Sequence, residues 1–170
     1  MKQLWAIDES YREELKAVEE LQYSVTERME LESAFDELEA PYYEEDGTAY
    51  LKIQGVLTKR WSFASWLLGG MPTPYLQEIF KKAAERSEVK TIMLCIDSPG
   101  GEVAGLSEFA ESIRECSKPV HAHISGHCTS GAYWLASQAD VITASRTSLV
   151  GSIGAYISFL KSSHEGVKEI

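Results

Sequence analysis

Residues Ile92-Met93-Leu94-Cys95-Ile96 form a short, nearly continuous apolar run that stops at Asp97-Ser98-Pro99-Gly100-Gly101. The pattern then resumes at helical spacing through Val103, Leu106, Phe109, Ala110 and Ile113. A short apolar run bounded by turn residues is the mark of a buried strand, and the spacing behind it predicts a helix over 103–116. The same order recurs along the chain. Residues 50–57 alternate as a strand, and residues 74–86 place Leu76, Ile79, Phe80 and Ala83 on one helical face. Residues 120–124 read as another strand and 141–144 as a further one. Strands alternating with helices predict parallel β-α units, with reactive groups gathered where the strands end.

Two strand ends carry chemistry. Pro99-Gly100-Gly101 opens a helix, and the first N–H groups of a helix have no partner within it, as an oxyanion site requires. An ordinary strand-to-helix turn would read the same way. The second end is Gly126-His127-Cys128-Thr129-Ser130-Gly131-Ala132-Tyr133-Trp134. Here a hydroxyl lies among small residues that let a substrate backbone approach, and the Gly131 N–H follows directly. Thr129 or Ser130 would serve equally as a plain helix N-cap.

Taken together, four ordered blocks resemble the signal peptide peptidase A (protease IV) family, which includes phage capsid-assembly proteases. They are Asp97-Ser98-Pro99-Gly100-Gly101, Ser130-Gly131-Ala132-Tyr133-Trp134, Ala139-Asp140-Val141-Ile142-Thr143-Ala144 and Val150-Gly151-Ser152-Ile153-Gly154. The resemblance spans residues 49–165, with Thr129 standing where the family usually has Ala. It implies a Clp/crotonase-like α/β fold of repeated β-β-α units and a serine peptidase with a Ser–Lys dyad. Ser130 would be the nucleophile, and the N–H groups of Gly131 and of Gly100 or Gly101 the oxyanion hole. No metal or cofactor is implied. Implied partners are a peptide or protein substrate and further copies of the chain in a homo-oligomer.

A serine hydroxyl needs a base to take its proton. The histidines are His121, His123, His127 and His164. The first two alternate in a strand-like run and read as structural, and the family gives His127 no catalytic role. The related Clp peptidases place a histidine about 25 residues after the serine, a neighbourhood held here by Ala155. In the resembled family a lysine about 50 residues beyond the serine is the base. Lys161 and Lys168 fall short of that position, so the domain is expected to continue past Ile170 and the chain as given to lack its base. Two other classes stay open: a crotonase-like acyl-CoA enzyme, which shares the two-amide oxyanion logic, and a non-catalytic assembly protein on the same fold. Within the peptidase class, a cellular signal-peptide degrader competes with the phage protease.

Charge divides the chain. Residues 1–48 hold 15 Asp/Glu against 4 Lys/Arg, whereas residues 49–170 hold 11 against 12. The acidity belongs to an N-terminal segment in which Tyr11, Leu15, Val18, Leu21, Val25 and Met29 recur at helical spacing. Ser10 with Glu13 and Ser24 with Glu27 read as capping boxes, giving two helices or one with a break near Ser24. Residues 1–48 are therefore expected to be an acidic helical extension that ends in a linker at Glu44-Glu45-Asp46-Gly47, and residues 49–170 the peptidase domain. The extension docks on its own domain or serves as a partner-binding arm. Its charge argues against nucleic acid as a partner. No apolar run approaches the roughly 18 residues of a membrane span, and the N-terminus lacks a signal peptide's apolar region. Cys95, Cys116 and Cys128 are odd in number and irregular in spacing, which suits buried thiols in a cytoplasmic protein or procapsid. Trp61, Phe63, Trp66, Leu67 and Leu68 make an aromatic loop that reads as satellite core, a subunit contact or a groove wall.

Overall fold

The computed structural model describes residues 4–7, 41–60 and 69–157. The expected helices of the N-terminal extension, the aromatic loop at 61–68, His164, Lys161 and Lys168 lie outside those residues.

Two sheets build the structure. The first centres on three parallel strands, β3 (Thr48–Gln54), β6 (Thr91–Ser98) and β8 (Val120–Thr129). It is extended on one side by the antiparallel β2 (Tyr42–Glu45), and β8 carries both β9 (Val141–Ala144) and β10 (Leu149–Gly151) on its other edge. The second sheet runs β11-β1-β7-β4-β5, from β1 (Leu4–Ile7), β4 (Leu57–Thr58), β5 (Met71–Pro72), β7 (Gly100–Glu102) and β11 (Tyr156–Ile157). Among the described residues three helices pack with the sheets: α1 (Thr73–Glu85), α2 (Leu106–Arg114) and α3 (Gly131–Ala136).

The core lies between the large sheet and the helices. Side chains alternate across a strand, and Leu51, Ile53, Ile92, Leu94, Ile96, Ala122 and Ile124 all fall on the buried face. Leu76, Phe80 and Ala83 of α1 meet them together with Leu106, Phe109 and Ile113 of α2. Phe80 and Phe109 pack edge-on with ring centroids 5.8 Å apart, a favoured aromatic geometry. Pro72 and Pro74 flank the start of α1, where a missing N–H costs nothing. Gly105, at φ 94°, turns the chain into α2.

The mixed α/β architecture with parallel strands agrees with the sequence expectation. Three local readings need correcting. Glu44-Glu45-Asp46-Gly47 is not a linker: Tyr42–Glu45 is a strand, and Asp46 (φ 49°) with Gly47 (φ 76°) makes the tight turn of a hairpin into β3. Positive φ at both turn positions matches the twist of the flanking strands, which is why Asp-Gly suits this place. Gly100-Gly101, read as a bare turn, is part of strand β7, and α2 starts only at Leu106. β8 does not stop at Ile124 but runs to Thr129, delivering Ser130 directly at its end.

Candidate active site

β8 reaches Ser130 through a bulge. Its pairing with β6 passes from Ile96↔Ile124 to Ser98↔Cys128, so Ser125, Gly126 and His127 stand against the single residue Asp97. Such bulges re-aim a strand end and are frequent beside functional sites. The Asp97 carboxylate fills the bulge: Oδ1 accepts the His127 N–H at 2.7 Å and lies 3.7 Å from His127 Nδ1. Gly126 leaves room for it: a Cβ there would lie 2.3 Å from Asp97 Oδ1, so the carboxylate would have to move.

At the junction of β8 and α3, Ser130 takes φ 53° and ψ −116°. A non-glycine residue in that region is strained, and such strain collects at active sites. The surroundings hold it in place. Its N–H donates to Gly151 O at 2.8 Å, and its carbonyl accepts from the Trp134 N–H at 3.1 Å. The side chain is buried, and its hydroxyl donates to Gly154 O at 3.0 Å. Gly131 and Ala132, the first residues of α3, are buried beside it.

The glycine strand runs alongside. Thr129 Oγ1 donates to Pro99 O at 3.1 Å, tying the residue before Ser130 to the residue before Gly100. Buried Ser98 donates to Gly55 O at 2.6 Å and accepts the Gly100 N–H at 3.2 Å. Gly100 has φ 94°, and a Cβ on Gly101 would sit 1.8 Å from Leu57 O, so β7 can lie against β4 only with glycine there. Ser130, Gly131, Gly100 and Gly101 are thus brought together, with Gly100 N–H engaged by Ser98. Ser98 and Asp97, which position the two strand ends, were quoted in the sequence only as parts of a motif. Thr129, the departure from the family pattern, contributes a buried hydrogen bond that alanine could not.

Other reactive groups are accounted for. Burial pushes the Cys128 thiol up to about 12, which makes it an inert core residue rather than a rival nucleophile. Burial also raises Cys95. His123 Nδ1 lies 3.0 Å from Thr143 Oγ1, and His121 is half-buried on the same strand. Among the described residues no group of His, Cys, Asp and Glu could hold a metal ion, and no helix is long and apolar enough to cross a membrane.

A parallel α/β core carries a strained serine at a strand end, beside a Gly-Gly strand, and known proteins share parts of this arrangement. Solved structures with this fold include an enoyl-CoA hydratase/isomerase from Acinetobacter baumannii (TM-score 0.52, 16% identity, 63% of this chain and 49% of that one). An enoyl-CoA hydratase from Mycobacterium avium subsp. paratuberculosis gives TM-score 0.51 at 20% identity over 63% of this chain and 44% of that one. The fold is crotonase-like, and at these identities the likeness concerns the fold alone. Residues 112–165 match the profile of peptidase family S49. Protease 4 of Haemophilus influenzae is 32% identical over 87 residues, 49% of this chain and 14% of that protein. The head-tail preconnector protein GP5 of Enterobacteria phage P21 is 34% identical over 122 residues, 66% of this chain and 23% of its own length. The chloroplastic serine protease SPPA of Arabidopsis thaliana is 35% identical over 81 residues, 46% of this chain and 12% of that protein. Over these residues the chain is similar to peptidase family S49 and to proteases of the protease 4/signal peptide peptidase A type. It spans less than a quarter of the length of these relatives.

Proposed function

We propose that the chain carries the nucleophilic half of a serine peptidase, with Ser130 attacking the peptide carbonyl. The observation that carries this reading is the strained, buried Ser130 at the end of β8, held at φ 53° beside Gly100-Gly101. Attack forms a tetrahedral oxyanion, which the Gly131 N–H and a Gly101 or Gly100 N–H would stabilise. With the Gly100 N–H given to Ser98, Gly101 is the stronger candidate on β7. In the resting structure the Ser130 proton points to a carbonyl, which cannot serve as a base. We assign that role to a lysine from outside the described residues, as the family resemblance implies, from the same or a neighbouring subunit.

The phage relative aligns over more of this chain than the Haemophilus protease does, which favours a capsid-assembly protease in a procapsid over a degrader of signal peptides. Serine chemistry also separates the reading from a crotonase-like acyl-CoA enzyme, which needs no nucleophile at this position. The test is covalent labelling by a fluorophosphonate, read by mass spectrometry on the intact chain. Labelling mapped to Ser130 and lost in Ser130→Ala is expected. Labelling elsewhere, or unchanged in the variant, would overturn the assignment.

A further inference from the structure

Strand β1 lies where a peptide ligand would lie. It is antiparallel to both neighbours, pairing with β7 as Trp5↔Glu102, Ala6↔Gly101 and Ile7↔Gly100, and with β11 as Leu4↔Ile157 and Trp5↔Tyr156. β7 is already paired on its other side, through Gly101↔Leu57. Without β1, the edges of β7 and β11 would therefore face each other across a slot one strand wide, about 9–10 Å between their axes. Unpaired strand edges of this kind take up extended peptides by strand addition.

Both flanking strands lie close in the chain to residues of the candidate site. On the β7 side Ile7 stands opposite Gly100. On the β11 side Trp5 stands opposite Tyr156, two residues after Gly154, whose carbonyl accepts the Ser130 hydroxyl. Leu4-Trp5-Ala6-Ile7 is also uncharged, although Asp8 and Glu9 follow it directly and the first 48 residues are strongly acidic.

We propose that Leu4–Ile7 is an intramolecular ligand of the peptide slot between β7 and β11, placed with Ile7 opposite Gly100. The slot takes extended, uncharged, mainly apolar peptide with an aliphatic residue at that position, and β1 holds it closed to other peptides. The inference rests on the peptidase reading for its catalytic meaning, but strand occupancy can be measured without turnover.

The experiment compares the full chain with its Ala6→Pro variant, since proline removes an N–H from a strand paired on both sides. The probe is fluorescein-labelled Leu-Trp-Ala-Ile amide, followed by polarisation, with fluorophosphonate labelling of Ser130 in parallel. Apparent affinity falls by the fraction of molecules whose slot is open, so Ala6→Pro should bind the probe on the order of tenfold more tightly or better. Its Ser130 should label faster, and excess unlabelled tetrapeptide should reverse that gain. Equal probe binding by both chains would overturn the proposal, whatever the labelling rate. Tighter binding by the variant with no labelling of either chain would uphold the slot and remove the nucleophile assignment. If Ala6→Pro does not fold, amide hydrogen exchange on the unmodified chain decides. Excess tetrapeptide should speed exchange at residues 4–7 while Gly100–Glu102 stay protected, and unchanged exchange at residues 4–7 would overturn the proposal.

Discussion

Ser130 is held in its strained backbone conformation by two hydrogen bonds that do not involve its side chain, from its N–H to Gly151 O and from the Trp134 N–H to its carbonyl. Replacing the hydroxyl should therefore leave the backbone geometry alone. Ser130→Ala is expected to lose fluorophosphonate labelling while keeping its circular dichroism and its melting temperature within a few degrees. Cys128, two residues earlier, behaves oppositely. Its folded-state value is raised from an ordinary 9.0 to about 12, so the neutral thiol is the form that folding favours. That contribution is fully present below about pH 9 and is lost as pH rises toward 12. Stability measured by denaturant titration should thus decline with pH above 9 in the parent chain, and decline less steeply in Cys128→Ala. Iodoacetamide at pH 8 should leave Cys128 unmodified until the chain unfolds. The serine was legible in the sequence because small residues surround it. The Thr129 bond to Pro99 was not, because it joins side chain to backbone across 30 positions of sequence.

At the scale of elements, the site depends on two places where a side chain beyond glycine has no room, and they differ in what would have to move. A Cβ at Gly126 meets the Asp97 carboxylate, the end of a side chain that can swing away. A Cβ at Gly101 meets the carbonyl, carbon and nitrogen of Leu57, which are backbone atoms within the second sheet. Gly126→Ala should cost about 1–3 kcal/mol, the range for overpacking. Gly101→Ala should cost more and separate β7 from β4. The check is a double-mutant cycle: Asp97→Ala combined with Gly126→Ala should be less destabilised than the sum of the two single changes. Additivity would show that Asp97 does not occupy the bulge. The helices and inner strands were legible because their periodicity reflects burial on one face. The bulge was not, since it is a mismatch between two strands and neither strand shows it alone. The Asp46-Gly47 hairpin had a turn signature, but the run of acidic residues around it read as solvent-exposed linker.

Over the whole molecule, the burial of the large sheet is uneven. β3, β6 and β8 bury alternate residues, whereas all four residues of β9 are exposed and β10 leaves Leu149 54% and Val150 42% open. Val141, Ile142 and Ile153 are exposed apolar residues as well, Ile153 at 83%. Of these strands β10 adjoins the serine, since its last residue, Gly151, accepts the Ser130 N–H, and Gly154 beyond it accepts the hydroxyl. A second copy covering β10 would stabilise the segment that holds the Ser130 backbone. This gives the proposed homo-oligomer a location. Leu149→Asp would place a charge where the partner docks and disfavour association by several kcal/mol through desolvation. Sedimentation at tens of micromolar should find the parent chain as an oligomer and Leu149→Asp as a folded monomer, with fluorophosphonate labelling reduced in step. An oligomer that persists in the variant would place the contact elsewhere, and a parent chain that is monomeric at that concentration would remove the contact altogether.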